Sequence, residues 1–144
     1  MSDCLFCKIV AGDIPSTMVA ENDVAYAFDD IAPTAPVHVL VIPKHHITSA
    51  DHLPSDHNGI LDEMALLAQQ VADVKGIRES GYRLVMNVGR DGQMTVPHLH
   101  LHVIGGRLME WPPDEFAFVG RNVRYGHDLR AQYQSDVGPP GSAR

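Results

Sequence analysis

The chain contains the stretch His98-Leu99-His100-Leu101-His102-Val103-Ile104, in which three histidines occupy alternate positions. Because successive side chains of a β-strand point to opposite faces, the pattern predicts a strand over residues 96–104 with imidazoles on one face and hydrocarbon on the other. Imidazoles two residues apart on one face lie roughly 6.5 to 7 Å apart, so all three could address one small ligand or one metal region. Leu99, Leu101 and Val103 are then expected in the core, and the histidine face is expected to carry the function.

The alternating histidines allow three interpretations. A single histidine on a strand is ordinarily a surface residue or a hydrogen-bonded core residue. Three in strict alternation favour a functional role, which is either a metal-binding strand or a catalytic group of imidazoles. The catalytic interpretation is preferred, and the other two stay open at this point.

The composition limits the classes of protein that fit. The chain has 144 residues, of which 44% are hydrophobic, so one domain with a single core is expected. The net charge of -7 argues against nucleic acid or an anionic membrane as the main partner, because binding to either depends on Lys and Arg. The first residues mix charged with apolar side chains, which is typical of neither a signal peptide nor a membrane span. A cytoplasmic protein is therefore expected.

The two cysteines, Cys4 and Cys7, form a C-x-x-C pair near the start of the chain. In a reducing compartment this spacing indicates metal or redox chemistry more than a structural disulfide. A thioredoxin-like redox role is disfavoured, because no strand precedes Cys4.

Short elements are predicted in the first half of the chain. Residues 5–10 can form a short helix, and residues 17–21 and 24–28 have the pattern of a β-hairpin. The β-branched run 37–42 predicts a further strand, and this strand carries His38.

One long helix is predicted in the second half, with Ser55 as its N-cap and Gly76 as its end. Its core-facing residues recur at steps of three and four: Ile60, Met64, Leu67, Val71 and Val74. Residues 82–88 predict a strand that pairs antiparallel with the histidine strand that follows it. These elements together predict an α+β domain around an antiparallel sheet.

The histidine stretch resembles the histidine triad (HIT) superfamily, whose pattern is His-φ-His-φ-His-φ-φ with φ apolar. The flanking segments are similar to those of its nucleotide-binding (HINT) branch, and the resemblance covers roughly residues 3–113. The matching segments are Asp30-Ile31-Ala32-Pro33, Pro36-Val37-His38, Val41-Ile42-Pro43-Lys44, Asn87-Val88-Gly89, Gly105-Gly106-Arg107 and Trp111-Pro112-Pro113. One departure lies before the triad, where Gly92-Gln93-Met94-Thr95 stands in place of the usual Gly-Gln-(Ser or Thr).

The resemblance implies an α+β HIT-like fold, with a five-stranded antiparallel sheet, one main helix and a short N-terminal helix. It also implies a homodimer in which two such sheets join into ten strands. The HIT domain is then expected at residues 1–113, and residues 114–144 are expected to be a C-terminal extension whose end is disordered, since it cannot bury apolar surface.

The resemblance also implies a role for each matching residue. His100 would be the nucleophile, with His102 and His38 around the phosphate and with Asn87 and Thr95 contacting the phosphate or the leaving group. Asp30 would hold the ribose hydroxyls, although a local turn hydrogen bond is the alternative for this loop carboxylate. Four apolar residues would line the base pocket: Phe6, Ile9, Phe28 and Ile31. For each of these four, ordinary core packing is equally expected. Trp111 would approach the partner subunit's site.

The activity implied is hydrolysis of purine nucleoside 5′-phosphoramidates, including adenylylated amines, to AMP or GMP. A neutral imidazole is a good nucleophile near pH 7, and a nucleotidyl-histidine intermediate divides one difficult displacement into two easier ones. Donors for the phosphoryl oxygens are expected from His102 and from the loop between Gly89 and Thr95. A dinucleoside polyphosphate hydrolase, a nucleotidyl transferase and a nucleotide-binding regulatory dimer with incidental catalysis remain as alternatives.

Four residues resemble the structural zinc site of some HIT proteins: Cys4, Cys7, His46 and His98. Two thiolates and two imidazoles suit a closed tetrahedral Zn²⁺ site. The first triad histidine would then bind metal while the second performs chemistry. The alternative is a short N-terminal helix whose cysteines bind no metal.

Overall fold

The computed structural model describes residues 3–113, which form a five-stranded antiparallel sheet with the order β1-β2-β3-β5-β4. The chain divides into two units, Met1–Arg107 and Leu108–Arg144, and every helix and strand of residues 3–113 lies in the first. The elements are α1 (Leu5–Ala11), β1 (Met18–Glu21), β2 (Ala25–Asp29), β3 (Val37–Pro43), a single 3₁₀ turn (Ala50–His52), α2 (Ile60–Val74), β4 (Tyr82–Val85) and β5 (Leu101–Gly105). The predicted α+β class, with one main helix and a short N-terminal helix, is confirmed. The predicted domain boundary at residue 113 stays a prediction, and the extension 114–144 lies outside the described residues.

Strand β3 lies at the centre of the sheet and is covered on both faces. Its odd-numbered residues Val39 and Val41 join the core beneath α2, and its even-numbered residues Leu40 and Ile42 join the core beneath α1. A strand buried on both faces is continuously apolar, which explains the unbroken run of β-branched residues in β3. Because His38 is even-numbered, it lies on the face that α1 covers.

The hairpin predicted near the N-terminus is confirmed, and Asn22 forms its turn. The Asn22 side-chain oxygen accepts hydrogen bonds from the backbone N–H groups of Val24 and Ala25, at 3.0 and 2.8 Å. An asparagine that bonds its own downstream backbone stabilises a tight reversal. Strand β2 begins one residue later than predicted, at Ala25.

Helix α2 buries the predicted stripe, with one exception and one shifted end. Val74 is 65% exposed because it lies at the last residue of the helix, where the chain leaves the core. Ser55 is not the N-cap as predicted, since the helix starts at Ile60 and its cap is Gly59. Asn58 and Gly59 both have positive φ, so the chain reverses between residues 55 and 59 and cannot extend the helix toward Ser55.

The histidine strand is shorter than the prediction of residues 96–104. Strand β5 begins at Leu101, so His98 and His100 precede it and only His102 lies on it. The Pro97 nitrogen carries no hydrogen to donate, and the next N–H, that of His98, turns back to the carbonyl of Val96 at 2.8 Å. The segment before β5 is therefore a bend and not part of the ladder.

Strand β4 forms one edge of the sheet and pairs antiparallel with β5, as predicted. It ends at Val85, three residues before the predicted end at residue 88. Leu84 and Val88, on and just beyond this edge strand, are partly exposed apolar residues. Among residues 3–113 no helix has the length and apolar character needed to cross a bilayer.

Candidate active site and metal centre

Two neighbouring strands bring His38 and His102 together on the α1 face of the sheet. His38 lies opposite Ile104 in the β3–β5 ladder, and His102 lies opposite Leu40. The two imidazoles are therefore diagonal neighbours, and His38 Nε2 lies 2.8 Å from His102 Nδ1. This is hydrogen-bond distance, so one of the two nitrogens must carry the proton.

The proton lies on His38, because its other nitrogen faces a backbone donor. The backbone N–H of Thr34 donates to His38 Nδ1 at 3.1 Å, and an N–H group can only donate. Neutral His38 therefore carries its proton on Nε2 and donates to His102 Nδ1. Asp30 Oδ2 also lies 3.4 Å from His38 Nε2, while its Oδ1 accepts from the N–H of Ala32 at 2.8 Å.

His102 consequently presents a donor at its far nitrogen. Since Nδ1 accepts from His38, the neutral ring carries its proton on Nε2, which is buried and has no hydrogen-bond partner among the described residues. Burial, followed by the neighbouring His100 and His38, lowers the pKa of His102 to about 4, so this ring is neutral near pH 7. A buried N–H donor without an acceptor costs free energy and marks a place where a ligand oxygen can bind.

His100 has the opposite tautomer. Its Nδ1 lies 2.7 Å from the backbone carbonyl of His98, and a carbonyl can only accept, so the proton is on Nδ1. The lone pair is left on Nε2, the atom that a nucleophilic imidazole needs. The His100 and His102 rings are 5.0 Å apart between centroids, so a nucleophile and a donor are neighbours.

Helix α1 covers the histidines with an apolar wall. The Phe6 ring meets His100 edge to face with centroids 5.2 Å apart, and it meets Phe28 in the same way at 5.6 Å. Phe6, Ile9 and Phe28 are all buried in one cluster. His98 and His100 are buried too, because Phe6 of α1 packs against both rings.

The remaining predicted nucleotide contacts lie in less buried places. Ile31 is fully exposed, and Asn87 is half-buried. Thr95 is exposed, and neither its side chain nor that of Asn87 hydrogen-bonds to a histidine within the described part of the chain. Trp111 lies in the second unit and is largely exposed, so its predicted role at a partner's site stays a prediction.

In the loop before the triad, two backbone N–H groups form hydrogen bonds within the loop itself. The N–H groups of Gln93 and Met94 donate within the loop, to the carbonyls of Arg90 and Gly89 at 3.0 Å each. Gly92 is needed for this compact turn, since a Cβ there would lie 2.4 Å from the Val88 carbonyl oxygen. The Gln93 and Met94 hydrogens therefore close the turn, and the prediction that this loop donates to the phosphate stays a prediction for its other N–H groups.

A second cluster lies on the other side of His100 and unites the four residues expected to bind zinc. The possible ligand atoms of Cys4, Cys7, His46 and His98 all lie within 4.8 Å of one another, and the four could hold a metal ion. His98 Nδ1 lies 3.3 Å from Cys4 Sγ and 3.5 Å from Cys7 Sγ, and His46 Nδ1 lies 3.4 Å from Cys7 Sγ. A tetrahedral zinc with ordinary bond lengths separates sulfur and nitrogen ligands by about 3.5 Å, so these residues fit the ion.

The tautomer of His98 also suits a metal ligand. Its Nε2 donates to the carbonyl of Pro43 at 2.9 Å, which leaves the lone pair of Nδ1 directed at the two sulfurs. Burial lowers the pKa of His98 and outweighs the opposing effect of the Pro43 carbonyl, so the neutral ligand form is favoured. Leu99 N–H bonds the carbonyl of Ile47 at 2.6 Å, which ties the loop that carries His46 to the triad.

Asp30, His38 and His102 form another group with convergent ligand atoms, but its chemistry opposes a metal. A metal at His38 Nε2 would require the proton to move to Nδ1, where it would face the N–H of Thr34. Two donors would then point at each other. The three residues therefore form a hydrogen-bonded chain and not a metal centre.

Sequence reasoning did not find the groups that set the tautomers, which are the Thr34 N–H and the carbonyls of Pro43 and His98. All three are backbone groups, and every residue type except proline offers the same pair. The proline-bounded loop before His38 is the only sequence signal near them, since it indicates a fixed backbone.

Known proteins resemble this chain over most of its length. A family model described as the HIT domain matches residues 11–109. Purine nucleoside phosphoramidase of Escherichia coli is 41% identical over 105 residues, which are 73% of this chain and 88% of that protein. An uncharacterized HIT-like protein of Synechococcus elongatus is 44% identical over 111 residues, which are 77% of this chain and 96% of that protein.

A solved structure resembles it in three dimensions as well. The crystal structure of a HIT family hydrolase from Legionella pneumophila has a TM-score of 0.74 and 47% sequence identity, covering 77% of this chain and 99% of that one. The family match, the identities and the shared sheet agree with the triad geometry described above. The chain belongs to the HIT domain family, among its hydrolases, as the alternating histidines predicted.

Proposed function

We propose that the protein hydrolyses purine nucleoside 5′-phosphoramidates, including adenylylated amines, and releases AMP or GMP. The observation that carries the proposal is the pairing of a free lone pair on His100 Nε2 with an unpartnered, buried donor on His102 Nε2. The name of the Escherichia coli relative supports the choice of substrate.

In the first step His100 Nε2 attacks the α-phosphorus. The N–P bond to His100 forms as the P–N bond to the amine breaks, and His100 Nδ1–H stays on the His98 carbonyl. The leaving nitrogen needs a proton, which reaches it from solvent through the Thr95 hydroxyl. The neutral His102 keeps its Nε2–H, which holds a phosphoryl oxygen through the step. In the second step water attacks the phosphorus, the bond to His100 breaks, and the proton that water loses returns to solvent.

The nucleotide would lie between α1 and the loop that follows β2. Phe6, Ile9 and Phe28 form a buried apolar wall for the base, to which the exposed Ile31 can close. Asp30 would receive the ribose hydroxyls on Oδ2, which has only the long contact to His38, and Asn87 would contact the phosphate.

We further propose that zinc occupies the Cys4, Cys7, His46 and His98 cluster. Zinc bound there would supply no chemistry to the reaction; it would join α1, the loop after β3 and the triad segment. The sulfur to nitrogen distances and the Nε2–H tautomer of His98 support this assignment.

A homodimer is proposed for the edge of the sheet at β4. The outer side of this strand has no neighbouring strand within the described residues, and Leu84 and Val88 offer apolar side chains there. An unpaired edge of this kind can join its copy into a ten-stranded sheet, as the family resemblance implies. Trp111 of each subunit would then approach the partner's site.

The test is hydrolysis of adenosine 5′-phosphoramidate by the wild type, by His100→Ala and by the control His45→Ala. His45 is an exposed histidine outside both clusters, so its variant controls for loss of an imidazole. We expect turnover by the wild type and by His45→Ala, and a fall of at least about 10³-fold in His100→Ala, which should still bind AMP.

Two results would contradict the proposal. Comparable turnover by His100→Ala would exclude His100 as the nucleophile. A wild type that binds AMP without hydrolysing the phosphoramidate would exclude this leaving group, and a dinucleoside polyphosphate would be the next substrate to examine.

A further inference from the structure

Hydrogen bonds and close packing place the loop between β2 and β3, residues 30–36, beside the histidines. Asp30 Oδ1 closes a turn on the N–H of Ala32 at 2.8 Å. Arg107, two residues beyond the end of β5, donates from Nη2 to the carbonyl of Thr34 at 3.4 Å. Gly106 permits the loop to approach, because a Cβ there would lie 2.9 Å from the Cβ of Pro36.

This fixed loop directs a backbone N–H at the ring of His38. The Thr34 N–H donates to Nδ1 at 3.1 Å, and the Thr34 hydroxyl lies 3.4 Å from the same atom. Thr34 itself is exposed, so its side chain contributes little to the core. Its backbone N–H is nevertheless the first group in a chain that runs through His38 Nε2–H and His102 Nδ1 and ends at the buried His102 Nε2–H.

We propose that Thr34 is a positioning residue, whose backbone N–H sets the direction of this hydrogen-bond chain and so makes His102 a donor toward the phosphoryl group. Without that N–H, His38 has two tautomers, and the one with a proton on Nδ1 would instead accept a hydrogen from His102. His102 would then offer the phosphate a lone pair, which repels an anionic oxygen. The kinetic consequence rests on the proposed function, whereas the tautomers do not.

The first test reads the tautomers in the wild-type protein by long-range ¹H–¹⁵N correlation of the imidazole nitrogens near pH 7.5, with signals assigned from His38→Gln and His102→Gln. We expect the Nε2–H form for His38 and for His102, and the Nδ1–H form for His100. A proton on His38 Nδ1, or on both His38 nitrogens, would overturn the proposal whatever the enzyme does to a phosphoramidate.

The second test compares Thr34→Pro, which lacks the N–H, with Thr34→Ala, which keeps it and loses only the hydroxyl. We expect the Nε2–H form of His38 to persist in Thr34→Ala and to become a mixture in Thr34→Pro. We expect kcat to be about tenfold lower in Thr34→Pro than in Thr34→Ala, the size that one hydrogen bond is worth, with KM changed less. Equal kcat values in two folded variants would overturn the proposal, and if Thr34→Pro does not fold the wild-type tautomers decide it.

Discussion

Two histidine clusters flank His100, and they use the same side chain in opposite ways. In the cluster of Cys4, Cys7, His46 and His98, the His98 lone pair points at two sulfurs. In the cluster of Asp30, His38 and His102, the His38 ring donates a hydrogen bond to His102, and His102 presents a buried N–H with no partner among the described residues. His98 and His102 each lie two residues from His100, yet one is suited to bind a metal and the other to donate to an oxygen.

The difference arises from which backbone group meets each ring. A carbonyl, that of Pro43, faces His98 Nε2 and leaves Nδ1 free for a metal. The N–H of Thr34 faces His38 Nδ1, so the His38 proton lies on Nε2 and is donated to His102. An imidazole is thus a ligand or a donor according to a neighbour that carries no sequence information.

The largest effect that separates the clusters is expected at His102. Replacing it with Ala removes the buried donor, and kcat for the phosphoramidate should fall by about 10² to 10³-fold, the usual loss for a donor to a developing anion. His102→Gln, which can place an N–H near the position of Nε2, should lose less. Bound metal, measured by atomic emission, should be the same in both variants and in the wild type; loss of metal from either one would show that the clusters are not separate.

The next largest effect is expected in the metal cluster, where the neighbouring residues His46 and His45 provide a test variant and its control. His46→Ala removes a proposed ligand, so bound zinc should fall well below one ion per chain and the free energy of unfolding should drop by roughly 2 to 3 kcal/mol. Because Phe6 lies on α1 between its N-cap Cys4 and Cys7, KM for the nucleotide should rise more than kcat falls.

His45→Ala serves as the control and should keep both zinc and stability. If the wild type, purified without chelator, contains no zinc or other metal, the metal assignment is wrong. If His46→Ala retains a full complement of metal, the ligand set is wrong.

A smaller effect is expected in the pH dependence of stability. Burial, the largest cause, lowers the pKa of His102 from its ordinary value of 6.5 to about 4 in the folded protein. As the pH falls, His102 of the unfolded chain therefore binds a proton before His102 of the folded protein does. The contribution of neutral His102 to the free energy of unfolding is complete above about pH 6.5 and is lost as the pH falls toward 4. Denaturant unfolding of the wild type should show a steeper loss of stability over this range than His102→Gln; equal slopes would contradict the neutral, buried state of His102.

The fold followed from the sequence where periodicity was decisive. The apolar stripe of α2 and the hairpin around Asn22 were predicted closely. The start of α2, predicted after Ser55, and the length of the histidine strand were predicted wrongly, because Gly59 and Pro97 redirect the backbone without changing the apolar pattern. The side chains that converge were predictable from the triad and its flanks. Their tautomers were not, because backbone groups that become neighbours only on folding determine them.

The central claim is that His100 attacks phosphorus, and it is tested most directly by trapping the intermediate. Wild-type protein mixed with adenosine 5′-phosphoramidate and quenched in alkali during turnover should carry one adenylyl group, which peptide mapping by mass spectrometry should locate on His100. His102→Ala should accumulate the same adduct more slowly, and His100→Ala should form none. An adduct on another residue, or rapid turnover by the wild type with no adduct at all, would contradict the account.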